Sequence, residues 1–437
     1  MANVRDTAVS VVRALQEAGH TAYFAGGCVR DEMLGHKPED YDVATSATPD
    51  EMRAVFRTVT EVGVSFGVML VHRHGVTVEA ATFRREGPYS DSRRPDSVEF
   101  ASAEADADRR DFTINALFLD PLAPADAAQP LDDSPAAARL ARPDGRVIDF
   151  VGGVSDLVAG IVRAVGDANA RLAEDHLRGL RAVRIASRLD FRIDASTAEA
   201  IRRHARALEG VSRERVGEEC RRMLSAPTRA RAVSLIESLL LARPTLGSPI
   251  GVDEPAKTPT VSALPDAATA PTVLAAWALD RLGSPFETPP TDAVCEQIVQ
   301  TLRRSLCLSN EERDLLAAVL RHQRTLQRDW RDASVACRKR VAASPWFAQA
   351  SALLLSRDAD AARALVSDVQ TLRNSPQGVA PQPFLTGDDV AAIVGGPGPQ
   401  VGRLLRTLYD AQLENRVQTR TEALALARLL ASPADNG

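Results

Sequence analysis

The stretch Ala25-Gly26-Gly27-Cys28-Val29-Arg30-Asp31, followed by Glu39-Asp40-Tyr41-Asp42-Val43-Ala44-Thr45, constrains this chain more than any other. Thr21–Ala25 reads as a strand, Gly26-Gly27 ends it, and a helix is expected from about Val29 to Leu34. Asp40–Thr45 alternates like a second strand. On a strand, residues i and i+2 face the same way, so Asp40 and Asp42 are expected to present two carboxylates side by side. Two like charges so close are costly without a cation. Hard carboxylate oxygens favour Mg²⁺, which also binds phosphate oxygens. Gly26 and Gly27 let backbone N–H groups approach a ligand with no Cβ in the way, and the start of the following helix, with Arg30 in its first turn, suits an anion such as a triphosphate. A lone Asp-x-Asp is commonly a solvated strand edge. Beside a phosphate cradle, it points to nucleotidyl transfer by two-metal catalysis. Glu79, in Thr77-Val78-Glu79-Ala80-Ala81-Thr82-Phe83, is the candidate third carboxylate on a neighbouring strand.

Around this core the chain mixes structure types. Val4–Ala18 has the pattern of an amphipathic helix ended by Gly19, and Phe66–His72 with Val76–Phe83 reads as a hairpin around Gly75. Residues 121–145 are rich in Pro, Ala and Asp and read as an inserted loop. Beyond about residue 154 helical patterns dominate, broken by a second Pro/Ala/Thr-rich stretch at 243–271 and again near 375–387. The expected organisation is a head at 1–150, a helical neck at 151–242, a linker at 243–271 and a helical body and tail at 272–437. No run approaches 18 consecutive apolar residues, so no membrane span is expected. The five cysteines form no C-x-x-C pair, which argues against structural zinc or a disulfide framework and for the cytoplasm. The N-terminus has no signal-peptide pattern.

At this point the sequence resembles the class II tRNA nucleotidyltransferases, the CCA-adding enzymes of the DNA polymerase beta superfamily and close relatives of bacterial poly(A) polymerases. The resemblance rests on GGCVRD and EDYDVAT. It extends to Arg109-Arg110-Asp111-Phe112-Thr113-Ile114-Asn115-Ala116-Leu117, and to Asp149-Phe150-Val151-Gly152-Gly153 with Asp156-Leu157, which resembles a head–neck connector. Glu174-Asp175-His176-Leu177-Arg178-Gly179-Leu180-Arg181-Ala182-Val183-Arg184 matches the family's nucleotide-selecting helix. The match covers 20–235 and, more loosely, 384–430. It implies an α+β fold: a polymerase-beta-like head with a mixed sheet and helices, followed by an all-helical neck, body and tail. It further implies that Asp40 and Asp42 bind two Mg²⁺ ions, that Gly27, Arg30 and Arg110 contact the incoming nucleotide, and that Asp175, Arg178, Arg181 and Arg184 recognise base and triphosphate. The substrates implied are CTP, ATP and tRNA, met at its acceptor arm and 3′ end, with no obligatory protein partner evident.

The chemistry of the last row can be argued independently. Helical positions three apart are neighbours, so Asp175, Arg178, Arg181 and Arg184 are expected to form one stripe beside an apolar stripe of Leu177, Leu180 and Val183. Arginine only donates and aspartate only accepts. Cytosine and adenine both set an amino donor beside a ring-nitrogen acceptor, which an Asp–Arg pair complements. Uracil and guanine turn a carbonyl oxygen toward the carboxylate, at about 1–3 kcal/mol for each unsatisfied buried group. Selection of CTP and ATP therefore needs no template strand.

Within the family, Arg84–Phe100, with Tyr89-Ser90-Asp91 and Arg94-Pro95-Asp96, resembles the flexible loop of enzymes that add the full CCA. Pro383-Phe384-Leu385-Thr386-Gly387-Asp388-Asp389 and Gly395-Gly396-Pro397-Gly398-Pro399 resemble the tail of long bacterial members. Addition of the terminal A alone, poly(A) synthesis from ATP, and an inactive RNA-binding protein on the same scaffold are the alternatives. The whole chain carries a formal charge of -5, yet residues 171–235 hold 15 Arg against 9 Asp plus Glu, a basic face suited to an RNA backbone.

Overall fold

Helix α1 (Val4–Glu17) starts where the Asn3 side chain accepts a hydrogen bond from the Arg5 amide, and its buried face is Thr7, Ala8, Val11, Val12 and Leu15. The computed structural model describes residues 3–63, 67–87, 97–124, 137–250, 253–286 and 288–431. Its chain divides into two units, Met1–Pro255 and Ala256–Gly437.

The first unit is built on a mixed seven-stranded sheet, ordered β3-β4-β5-β2-β1-β8-β9. Its strands are β1 (Ala22–Ala25), β2 (Val43–Thr45), β3 (Val59–Gly63), β4 (Val68–Arg73), β5 (Val76–Thr82), β8 (Phe118–Asp120) and β9 (Arg146–Ile148). Only β2 and β5 run parallel; every other neighbouring pair is antiparallel. A separate hairpin joins β6 (Arg84–Glu86) to β7 (Val98–Phe100). The β4–β5 turn holds His74 and Gly75 at φ of 51° and 77°, the paired positive values of a two-residue hairpin loop. Along β5, Val78, Ala80 and Thr82 are buried while Thr77 and Glu79 are accessible. Alternation thus gives the sheet a core face, on which α1 packs, and a second face carrying Glu79.

Helix α2 (Gly27–Met33) begins two residues earlier than the sequence suggests, with Gly26 as its N-cap. Strand β2 is shorter than expected. Asp40 and Asp42 lie in the extended chain leading into it, because β1 ends at Ala25 and leaves no ladder partner beyond the bond from the Ala25 amide to the Asp42 carbonyl, 2.9 Å. Helices α3 (Pro49–Val55), α4 (Ala103–Asp108) and α5 (Gly153–Ala159) complete the head. The same unit continues with α6 (Ala168–Glu174), α7 (Arg178–Leu189), α8 (Ala195–His204), α9 (Arg213–Leu224) and α10 (Arg229–Ser238), in the stretch expected as a neck. Leu177, Leu180 and Val183 are buried, as the apolar stripe requires.

The second unit, described by itself, is helical. One core gathers Leu326, Ala350, Leu354, Leu365 and Val369, and another gathers Leu385, Val390, Leu408, Ala411 and Ala427. The stretch 243–271, expected as a linker, overlaps helices at Ala242–Leu246, Pro259–Ala263 and Ala270–Arg281, and the two units divide inside it. Prolines that read as breakers stand in the first turn of the last two helices, where a missing N–H costs nothing. Of the expected insert, 125–136 lies outside the described residues, as do Tyr89-Ser90-Asp91, Arg94-Pro95-Asp96 and Phe66. Among the described residues, no helix is long and apolar enough to cross a membrane.

Candidate active site

One cavity of about 510 Å³ opens between the second face of the sheet, α2 and α7. Gly26, Gly27, Arg30, Asp40, Asp42, Glu79, Arg110, Asp175, Arg178, Arg181 and Arg184 all line it. Eight arginines and seven carboxylates meet there. Four of the carboxylates, Asp31, Glu86, Asp111 and Asp175, are paired with arginines.

The acidic side is set by register. Val43 pairs with Ala80 in the parallel β2–β5 ladder, so Asp42 and Glu79, one residue earlier on each chain, come to neighbouring positions. Asp42 is open to the cavity yet crowded by protein on its other sides. Burial, then Glu79, then Asp40 push its carboxyl up to about 6 against the opposing pull of Arg110. Glu79 moves the same way, through burial and then Asp40. Like charges raising one another mark a place where a cation would be stabilised. Among the described residues, no group of three or more His, Cys, Asp or Glu stands close enough to hold a metal by itself. That donor set fits magnesium, which keeps several waters and takes one or two carboxylates together with substrate phosphates in place of an all-protein cage.

The Gly26 backbone lies at φ 78°, and a Cβ there would sit 3.0 Å from Arg110 Nη1. Gly27 has no such constraint; its Cβ would make an ordinary contact with Arg30 at 3.6 Å. Arg110 donates to Asp106 at 2.9 Å and to the Asn115 carbonyl at 3.2 Å, and lies 4.9 Å above the Phe118 ring. Burial would raise the Asp106 carboxyl, but Arg110 and Arg109 outweigh it and hold it below the usual range. Helix α2 spans only seven residues, so the guanidinium groups, more than its dipole, make this wall attractive to a triphosphate.

The row Asp175, Arg178, Arg181 and Arg184 differs from the single helix expected. Asp175 is not helical: it lies at φ −150° in the break between α6 and α7. Its Oδ1 accepts from the Leu177 amide at 3.0 Å, so it caps the turn that opens α7, the conformation aspartate favours over a helix interior. Its other oxygen pairs with Arg215 at 2.6 Å, whereas Arg178 pairs with Glu174 and donates to the Arg171 carbonyl at 2.6 Å. Asp175 and Arg178 thus face one cavity with their side chains on different partners, joined to each other through the backbone, where the Arg178 amide donates to the Asp175 carbonyl at 3.0 Å. Arg181 bonds Asp111 at 2.6 Å and Arg184 bonds Glu219 at 2.6 Å. Burial acts to raise the Asp111 carboxyl, but Arg181, Asn115 and Arg178 bring it down to about 2.

Sequence reasoning missed other wall residues, among them Asp31, Asn115 and Arg188. Arg188 continues the arginine row one turn further along α7, a signal the spacing carries. The segment matching a head–neck connector does structural work: Asp149 accepts the amides of Val151, Gly152, Gly153 and Val154 at 2.9–3.1 Å, closing the start of α5.

Two family models match this chain: the Poly A polymerase head domain at residues 22–163, and the probable RNA and SrmB-binding site of polymerase A at 190–247. The CCA-adding enzyme of Limosilactobacillus reuteri is 42% identical over 215 residues, 49% of this chain and 48% of that protein, so the match spans about half of that relative's length. The CCA-adding enzyme of Lactiplantibacillus plantarum is 32% identical over 431 residues, covering 96% of this chain and 95% of that protein. The crystal structure of the Bacillus stearothermophilus CCA-adding enzyme in complex with CTP superposes with a TM-score of 0.72 at 26% identity, covering 98% of each chain. With near end-to-end likeness in sequence added to the mixed sheet, the helices that follow it and the cavity they line, the chain belongs to the family of CCA-adding enzymes.

Proposed function

We propose that this protein adds C, C and then A to the 3′ end of tRNA from CTP and ATP, without a nucleic-acid template. The observation that carries this reading is that residues suited to metal, phosphate and base face one another across a single cavity. The Bacillus stearothermophilus relative was solved with CTP, which supports the same class of substrate here. In the reaction, the RNA 3′-hydroxyl oxygen attacks the α-phosphorus in line. The new O3′–Pα bond forms as the bond to the bridging oxygen breaks, and pyrophosphate leaves.

Asp40 and Asp42, with Glu79 beside them, would hold two Mg²⁺ ions, whose chemistry is to ease ionisation of the hydroxyl and offset charge on the departing pyrophosphate. Arg30 and Arg110 orient the triphosphate from the opposite wall. Asp175 and Arg178 read the edge of the base, and Arg181 and Arg184 complete that wall. A base that turns a carbonyl oxygen toward Asp175 leaves buried groups unsatisfied, so UTP and GTP are disfavoured. The arginine-rich segment 171–235 receives the acceptor arm of tRNA through backbone phosphates. Cys28 and Cys220 are buried thiols, which suits the cytoplasm.

A tRNA transcript lacking its 3′ end, offered CTP, ATP or both, distinguishes the readings on a sequencing gel. Two Cs followed by one A is the expected product. A ladder of As would mean poly(A) synthesis, and extension of only a CC-ending transcript would mean addition of A alone. Asp42→Ala should lower incorporation by about 10³-fold or more while RNA binding persists. Retained incorporation would remove Asp42 from the reaction.

A further inference from the structure

Six residues of the cavity wall form a chain of side-chain bonds whose two ends lie on one helix. Arg188 donates to Asp31 Oδ2 at 2.7 Å, and Arg30 donates to Asp31 Oδ1 at 2.8 Å. Arg30 Nη1 donates to Asn115 Oδ1 at 2.5 Å, Asn115 Nδ2 donates to Asp111 Oδ1 at 3.1 Å, and Arg181 Nη2 donates to Asp111 Oδ2 at 2.6 Å. Arg181 and Arg188 stand two turns apart on α7, so the helix itself completes the circuit. Arg30, Asp31 and Asp111 are buried.

Asn115 is the one uncharged member, and its two ends do opposite work. Its oxygen meets a guanidinium and its amino group meets a carboxylate. The flipped amide would set donor against donor and acceptor against acceptor, so the surroundings fix its orientation. Aspartate at this position would put a second carboxylate against Asp111. A hydrocarbon would leave Arg30 one partner short and cut α2 from α7 on this side of the circuit. The charged groups around the amide are Arg30 from α2, Asp111 from its own segment with Arg181 of α7 behind it, and Arg110, which bonds the Asn115 carbonyl.

We propose that Asn115 is a positioning residue that holds Arg30, on the phosphate side, and Arg181, on the base side, in one register, so that alignment of the triphosphate and choice of base are set together. The inference rests on the reading of this cavity as a nucleotide site. A purely supporting residue would affect stability alone. A register residue affects affinity and selectivity as a pair, because displacing either guanidinium misplaces the ligand at both ends.

The experiment measures CTP, ATP and UTP binding to the full chain by calorimetry in magnesium buffer, with no RNA present. Asn115→Asp, which keeps the size of the side chain, and Asn115→Leu should each weaken CTP and ATP binding roughly ten-fold and narrow the CTP-to-UTP preference at a temperature where both variants remain folded. Binding within two-fold of wild type in Asn115→Asp overturns the proposal. So does weakened binding with the CTP-to-UTP ratio intact. Wild-type protein that binds neither CTP nor ATP strikes the nucleotide reading itself, which separates that failure from failure of the circuit.

Discussion

Gly26 and Gly27 are adjacent and chemically identical, yet their backbones ask different things of them. At φ 78°, Gly26 occupies a region where a Cβ is strained, and that Cβ would crowd Arg110 as well. Gly27 is the first residue of α2, with room beside it. Gly26→Ala should therefore destabilise by about 1–3 kcal/mol and weaken CTP binding through Arg110. Gly27→Ala should lie within about 1 kcal/mol of wild type, since alanine is the better helix former. Thermal unfolding of the two variants compares them directly, and equal losses would contradict the backbone argument. The sequence made this pair visible as a turn but could not separate its members, because φ is a property of the folded chain. Asp40 and Asp42 were legible for the opposite reason: their spacing and neighbours suffice. Asp31 and Arg188 were not, since their bond joins positions 157 residues apart.

Elements were read well where a period repeats and poorly where one residue decides a boundary. The long α1 pattern and the β4–β5 hairpin are present almost as read. Asp175 was assigned to a helix from spacing, but its side chain bonds the backbone two residues on and ends the helical run instead. Proline-rich composition hid the helix Pro259–Ala263 in the supposed linker and set the start of Ala270–Arg281 two residues late for the same kind of reason, since proline breaks a helix in its interior and starts one at its first turn. The segment Asp149–Gly153 matched a connector, and its fold shows how a single carboxylate organises one. Asp149 gathers four amides at the head of α5, and a Cβ on Gly153 would meet the Thr113 carbonyl oxygen at 2.2 Å. Asp149→Ala should lower stability by about 2 kcal/mol, more than an ordinary cap with one bond. A calorimetric scan should show the transition of the first unit shifted downward by about 4–8 °C. A shift below about 1 °C would mean that water replaces the carboxylate without loss.

At the scale of the molecule, charge and chemistry are concentrated in one part of the chain. The net charge is −5, yet the cavity wall and the segment beside it are rich in arginine. Every residue lining the cavity falls between Ala25 and Arg188, and the segment matching the RNA-binding model ends at 247, so both lie within the unit that closes at Pro255. The second unit has its own buried cores. A fragment of residues 1–255 should therefore fold and bind CTP with a Kd within about three-fold of the full chain, because separated sites behave additively. Its tRNA affinity should fall with rising salt, as contact of the arginine-rich segment with backbone phosphates, proposed above, requires. Calorimetry with CTP and a salt series with tRNA would measure the two properties separately. A folded fragment that no longer binds CTP would show that the nucleotide site depends on residues beyond 255, and the division of labour argued from the fold would not hold.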